Sequence, residues 1–385
     1  MDDVGVYVHV PFCERVCPYC DFPVVAARSL GADTEARYVA ALRSELDARR
    51  ETFAGRRLAT VYLGGGTPSL LRPESVAAII GAVRDAVPGA PEEVTLEVNP
   101  STVERARLPG FRSAGVDRVS VGVQSFDDTT LRRLGRAHRA GEAWRTLEAC
   151  RDAGFRRLSL DLIAAAPGQD AAGLERDLDA ALGVAPDHLS VYELTLEEAT
   201  PFGRAAARGA LATPGEDAAA RMLERVEERL VGAGYRRYEI SSYARPGCEA
   251  VHNRRYWTRR PVLGLGMGAV STDPPAPGRP HGARRTNPRR LDAWLAVAEE
   301  GAAAEEEVLS PEAARGEAVF LALRTEAGLE SEGFAAEFGG PPRRFFGEAI
   351  DEGVARGLLR EGPGSRLRLT PRGRALADTV SAWFV

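Results

Sequence analysis

Three of the five cysteines, Cys13, Cys17 and Cys20, lie in the stretch YVHVPFCERVCPYCDF with the spacing C-x3-C-x2-C. A soluble chain rarely concentrates thiols in this way without binding something. A closed structural zinc site needs four ligands, usually in two separated pairs, and His9, which could supply a fourth, lies on a predicted strand. Three buried structural cysteines on one loop are a poorer reading. Thiolates are also the usual ligands of iron–sulfur clusters, where four cap a 4Fe-4S cube. Three leave one iron open, which is useful only when a small molecule completes its coordination. After Cys20 and Asp21 comes Phe22, not a fourth cysteine. A second stretch able to do chemistry is HNRRYW, from His252 to Trp257. An imidazole is a natural axial ligand for heme iron, flanking aromatics stack on a flat macrocycle, and the arginines between them suit propionates. The blander reading of His252 and Trp257 is packing at a sheet edge.

Such residues need a frame. From residue 4 to about 200, short β-branched runs alternate with longer amphipathic segments. The predicted strands are 4–10, 60–63, 94–98, 118–123, 157–163 and 188–194. Between them lie helical patterns such as TEARYVAALRSELDARR, PESVAAIIGAVRDAV, GEAWRTLEACRDAG and GLERDLDAALGV. Thr34 and Pro73 are good helix starts, and Gly154 sits where a helix should stop. Repeated βα units imply a parallel sheet with right-handed crossovers. Six units suffice for a partial (β/α)6 barrel of the TIM kind, in which function gathers at the C-terminal ends of the strands. The six predicted strands run into the cysteines, GGGTP, EVNP, VQSF, DLIAAAPGQ and YELT. One polar strand end means little, whereas six in register suggest a shared site. GGGTP at 64–68 offers a backbone that a ligand can approach without side-chain obstruction. Glu97, Gln124, Arg136 and Asp161 supply acceptors and donors suited to a zwitterion and a ribose.

After residue 200 the pattern changes. EDAAARMLERVEERLVGAG predicts a helix, YRRYEISSYA a strand, and 273–290, rich in Pro, Gly and Arg, an exposed loop. The tail, ending in GLLREGPGSRLRLTPRGRALADTV, reads as a helix, a two-stranded wing and a last helix. The expected class is therefore α/β: a partial barrel over 1–200, an extension with HNRRYW over 201–300, and a small winged-helix-like α+β domain over 301–385. The formal charge of -5 argues against nucleic acid as a partner. All 50 basic residues are arginine, which reads as coding bias. No leader-like segment or long apolar run is evident, so the expectation is a cytoplasmic protein with reduced thiols.

The cysteine loop after a first barrel strand resembles the radical S-adenosylmethionine (SAM) superfamily, and Tyr19 in the last gap is typical of it. That resemblance implies a 4Fe-4S cluster on Cys13, Cys17 and Cys20, with SAM chelating the open iron. It also implies a SAM pocket at Tyr7, Gly66, Thr67, Glu97, Gln124, Arg136, Asp161 and Thr195, with GLGMGA bordering the adenosine. YVHVPFC, GGGTPS, VGVQSF, LGRAH and EISSYARPG…HNRRYW together resemble the coproporphyrinogen-oxidase-like branch over nearly the whole chain. Within it, the oxygen-independent oxidase carries a fourth cysteine where Phe22 stands, and the heme-chaperone group carries Phe. That group implies heme contacts at His252, Asn253, Tyr256 and Trp257 and delivery to a respiratory membrane hemoprotein, with peripheral membrane association and a homodimer as further expectations. The competing enzymatic readings are a radical coproporphyrinogen III dehydrogenase and a methyltransferase of the same branch using two SAM molecules. A zinc-bound winged-helix regulator is the most distant. Two departures stand out: Ala164-Ala165 replaces a usual Tyr-Gly pair, and Val270 replaces a frequent His.

Overall fold

The computed structural model describes residues 3–27, 30–300 and 305–385. Six parallel strands come first: β1 (Asp3–Val10), β2 (Arg57–Gly65), β3 (Glu93–Val98), β4 (Arg118–Gln124), β5 (Arg157–Ala164) and β6 (His188–Glu193). They lie side by side in chain order. Parallel neighbours need a long crossover, and it is supplied here by α1 (Ala32–Arg49), α2 (Pro73–Ala86), α3 (Thr102–Ser113), α4 (Asp128–Arg133), α5 (Ala140–Asp152) and α6 (Ala171–Val184). Pro73 occupies the first turn of α2. Ser101 and Asp170 accept backbone N–H groups at the heads of α3 and α6. Gly154 follows α5 with φ of 75°, the left-handed turn that glycine adopts without a steric penalty.

The barrel strands alternate in character. Val4, Val6, Val8 and Val10 of β1, Val94, Leu96 and Val98 of β3, Val119, Val121 and Val123 of β4 and Leu158, Leu160 and Leu162 of β5 are all buried in one apolar core with the helices. Each such side chain contributes about 1.5–3 kcal/mol when taken out of water, so the outer face alone can hold the sheet to its helices. The intervening positions carry Tyr7, His9, Tyr62, Glu97, Ser120, Asp161 and Ser190. Closed barrels of this family usually fill their interior with branched apolar residues. A polar inner face makes this interior a site.

Beyond β6, α7 (Pro201–Ala207) and α8 (Glu216–Gly232) lead to β7 (Arg236–Arg237) and β8 (Ser242–Ala244), which pair antiparallel. YRRYEISSYA, predicted as one strand, is therefore a hairpin. Glu239 closes its turn by accepting from the Ser241 N–H and hydroxyl. Helix α9 (Val251–Trp257) carries HNRRYW, and β9 (Val262–Leu265) then runs parallel to β1 on its free side. β10 (Val270–Asp273), β11 (Ala283–Thr286) and β12 (Glu305–Val308) extend that edge antiparallel, with α10 (Leu291–Glu300) between the last two. The stretch 273–290 is thus part strand. Asp273 is held there by a buried ion pair with Arg49 at 2.6 Å. The twelve strands form one sheet with β12 and β7 at its two edges.

The C-terminal part comprises α11 (Pro311–Leu323), α12 (Ser331–Phe338), α13 (Pro342–Ala355) and the hairpin of β13 (Leu359–Gly362) and β14 (Arg366–Leu369). Its own core includes Val319, Leu323, Phe334, Ile350, Leu367 and Phe384, as a winged-helix arrangement requires. Among the described residues no helix is long and apolar enough to cross a membrane.

Candidate functional site

The cysteine loop is closed at its neck. Phe12–Cys13 pairs with Val25–Ala26, and the N–H groups of Val25 and Ala27 bond Pro11 O and Cys13 O at 2.8 and 2.7 Å. The three thiols are free and half-exposed. Among the described residues no three ligating side chains converge on one ion, the arrangement a single zinc would need. A cube takes one thiolate per iron, and three cysteines at C-x3-C-x2-C on one loop can supply three of them. Burial pushes the Cys13 thiol up to about 11, against a lowering contact from the Thr67 hydroxyl, which donates to Sγ at 3.7 Å. Burial raises the Cys20 thiol as well. Metal must displace those protons, so assembly of a cluster here releases them.

Arg136 ties the cysteine loop to the neighbouring strand ends. Its Nη1 donates to Cys17 Sγ at 3.5 Å, and its Nη2 to Asn99 Oδ1 at 2.6 Å and Gly122 O at 3.0 Å. Asn99 in turn donates to Thr67 Oγ1 at 2.7 Å. A chain of contacts, Cys13–Thr67–Asn99–Arg136–Cys17, thus joins the ends of β1, β2 and β3. Gln124 belongs to the same group: a Cβ on Gly122 would lie 3.0 Å from both Asn99 Oδ1 and Gln124 Nε2. Gln124 also has φ of 66°, a left-handed conformation rarely kept by a non-glycine residue without a local reason. Sequence reasoning passed over Asn99. The signal for it was present, since Asn99 continues the inward alternation of Glu93, Thr95 and Glu97.

Deeper in the barrel, the Tyr62 hydroxyl donates to Glu97 Oε1 at 2.8 Å and the Gly65 N–H to Oε2 at 2.9 Å. Burial raises the Glu97 carboxyl to about 7, with Asp161 adding to the rise. Burial likewise raises Asp161 to about 6, against hydrogen bonds from Ser190 and Ser120. Two carboxylates with raised affinity for protons, facing one polar interior, are the mark of a binding or catalytic centre. The glycines of GGGTP are closely packed where a side chain would stand. A Cβ on Gly64 would meet the Tyr62 ring at 2.6 Å, one on Gly65 the His9 ring at 2.5 Å, and one on Gly66 the Phe12 carbonyl at 2.8 Å. A side chain at any of the three would strike protein, so glycine here lets the turn pack against Tyr62, His9 and the Pro11–Phe12 backbone.

Residues 7–181 match the radical SAM superfamily, and residues 309–376 match the HemN C-terminal domain. The chain is 38% identical to the heme chaperone HemW of Mycobacterium tuberculosis, over 98% of this chain and 93% of that protein. It is 32% identical to the heme chaperone HemW of Bacillus subtilis, over 99% of each. The chain belongs to the HemW family of radical SAM proteins. Among solved structures, the radical SAM coproporphyrinogen III oxidase HemN of Escherichia coli superposes with a TM-score of 0.84 over 100% of this chain and 90% of that one, at 23% identity. That likeness bears out the partial barrel with its winged-helix-like tail. Membership of the radical SAM superfamily implies a 4Fe-4S cluster and SAM.

Other predicted residues fall elsewhere. Tyr7 is inside the barrel, its hydroxyl 3.0 Å from His9 Nδ1. Thr195 is exposed in the segment after β6. Ala164 and Ala165 are buried wall, and Ala165 has φ of 56°, where the usual glycine would sit without strain. Val270 opens β10 and is half-exposed. The HNRRYW residues lie on α9. His252 is fully buried, with Nδ1 2.8 Å from Thr60 Oγ1 and Nε2 3.2 Å from the Tyr256 hydroxyl. Both ring nitrogens are engaged, so no coordination position is open as the helix stands. Burial holds this imidazole neutral, its pKa lowered to about 3. Arg255 is equally unavailable for propionates, because it donates to Asp3 and to Pro261 O. Asn253 is half-buried, and the Trp257 ring lies under the Arg324 guanidinium at 5.7 Å.

Proposed function

We propose that the chain is a cytoplasmic heme chaperone, which binds heme and passes it to a respiratory hemoprotein at the membrane surface. One observation carries this reading: similarity over nearly the full length to a protein named heme chaperone, in a chain with Phe22 in place of a fourth cysteine. Cys13, Cys17 and Cys20 hold a 4Fe-4S cluster, and Tyr7, Gly66, Thr67, Glu97, Gln124, Arg136, Asp161 and Thr195 serve SAM. When bound, the cluster supplies an open iron for the amino and carboxylate groups of SAM. The protein's part is to orient and to exclude. Arg136 keeps the Cys17 arm against the barrel rim, and Thr67 fixes the Cys13 arm. Glu97 and Asp161 present carboxylates to the cationic and hydroxyl parts of the ligand, which favours their ionised forms. The Phe22 ring, 65% exposed beside the cysteines, leaves an apolar surface at the rim that suits a flat macrocycle.

The test is anaerobic reconstitution followed by two measurements: hemin titration, and 5′-deoxyadenosine formation with and without coproporphyrinogen III. Stoichiometric hemin binding without decarboxylated product supports the chaperone. Efficient conversion to protoporphyrinogen would sink it in favour of the dehydrogenase.

A further inference from the structure

Helix α9 is the floor of the barrel. At the start of β3, Glu93 accepts the N–H groups of Val251 and His252 at 3.2 and 3.0 Å and pairs with Arg118 at 3.3 Å, fixing the helix from below. The His252 ring projects upward against Tyr62, with centroids 5.1 Å apart, and lies 6.4 Å from the Tyr7 ring. Two arms rise from this base. Tyr62 donates to Glu97, whose other oxygen holds the Gly65 N–H of the glycine turn. Tyr7 lies 3.0 Å from His9 Nδ1, and His9 Nε2 donates to Pro23 O at 2.9 Å, on the exit of the cysteine loop. Because a carbonyl only accepts, His9 carries its proton on Nε2, and its Nδ1 accepts a hydrogen bond from the Tyr7 hydroxyl.

We propose that His252 is a positioning residue for the cofactor site, supporting the glycine turn through Tyr62 and the cysteine-loop exit through Tyr7, and is not a free axial ligand for heme. An axial ligand needs an open nitrogen lone pair and room for the macrocycle beside it. The imidazole has neither, since its two nitrogens and its faces are occupied by Thr60, Tyr256, Tyr62 and Tyr7. The contacts from His252 to each arm are contiguous, which is the physical basis on which one end of a packed column reports on the other.

The inference rests on the cluster and SAM site proposed above and is independent of heme transfer. The experiment compares the reconstituted full-length parent with His252→Gln. SAM affinity is read by titration calorimetry, the SAM-induced change in the reduced cluster's electron paramagnetic resonance by spectroscopy, and hemin binding by the Soret band. The expected result is SAM affinity weaker by about tenfold, a diminished SAM-induced spectral change, and unchanged hemin binding. Loss of hemin binding with an intact SAM response overturns the proposal. Should His252→Gln fail to fold, Tyr62→Phe keeps the imidazole and removes only the hydroxyl on Glu97. It is expected to weaken the SAM response in the same way, and an unaltered response overturns the proposal. If the parent binds no hemin, the chaperone reading fails while the SAM measurements still decide this one.

Discussion

Glu97 concentrates the electrostatics of the site in one side chain. In an unfolded chain its carboxyl titrates near 4.5, and burial moves it to about 7 in the fold. Between those values the folded state binds the extra proton, so the stability held by the neutral form is lost as pH rises toward 7. Asp161, raised to about 6, acts in the same direction. The stabilisation from these two carboxyls should therefore be smaller at pH 7.5 than at pH 5.5, while the buried neutral imidazoles of His9, His138, His188 and His252 act in the opposite direction, so the test is a difference between variant and parent. The melting temperature of Glu97→Gln relative to the parent should rise over the same interval, and a pH-independent difference would contradict the assignment. Asn99 is the other informative residue. Its replacement by Ala removes one partner each from Arg136 and Thr67, which keep Gly122 O and Cys13 Sγ, so the expected cost is about 1–3 kcal/mol in total. Denaturant unfolding should show that loss, and iron content after reconstitution should fall with it.

Among the elements, the end of β2 leaves little room for change. Gly65 combines φ of 106° with a His9 ring only 2.5 Å from where a Cβ would stand. Gly65→Ala should therefore destabilise by more than the roughly 1 kcal/mol of an ordinary left-handed alanine, because the ring it would strike braces the cysteine loop. Gly31, with open space around it, is the control, and Gly31→Ala should leave the unfolding midpoint nearly unchanged. Helix α9 depends on its setting in a different way. At seven residues it is too short to persist alone, and its N-terminus is held by the Glu93 carboxylate. The motif reads as a ligand set in isolation and as a floor once it is placed beneath the barrel.

For the molecule as a whole, the winged-helix-like part is clamped to the barrel by charge. Arg259 pairs with Glu317 at 2.7 Å and Glu337 at 2.6 Å, and Arg284 shares Glu317. Arg237 joins Glu326 and Glu227, and Arg374 reaches Glu227 at 3.2 Å. The pairs are partly shielded, so each is worth more than an exposed ion pair and less than a dry one. Glu317→Ala leaves two arginines without their shared carboxylate. Hydrogen exchange in α9 and α11 should quicken in that variant while the β3–β5 core keeps its protection, and high salt should quicken the parent in the same places. Equal protection in variant and parent would show that apolar packing alone holds the seam.

Much was legible in the sequence because it depends on local order. The six strands, the helix starts at Pro73 and the stop at Gly154 follow from periodicity and backbone preference, and Cys13, Cys17 and Cys20 are neighbours in the chain. Because parallel strands present one face and one set of ends to the interior, Glu97 and Asp161 face the same polar space, whereas Arg136 reaches it from the loop after α4. The hairpin within YRRYEISSYA and the strand within 273–290 were missed, because edge pairing is decided by partners far away in sequence. Three facts belong to the tertiary structure alone: Asn99 as the bridge between Thr67 and Arg136, the close packing where side chains would stand on the GGGTP glycines, and the burial of His252. Each is a relation between side chains that the chain brings together only on closing the barrel. The residue types thus determined which chemistry is available, and the fold decided which of those side chains face a ligand and which hold the others in place.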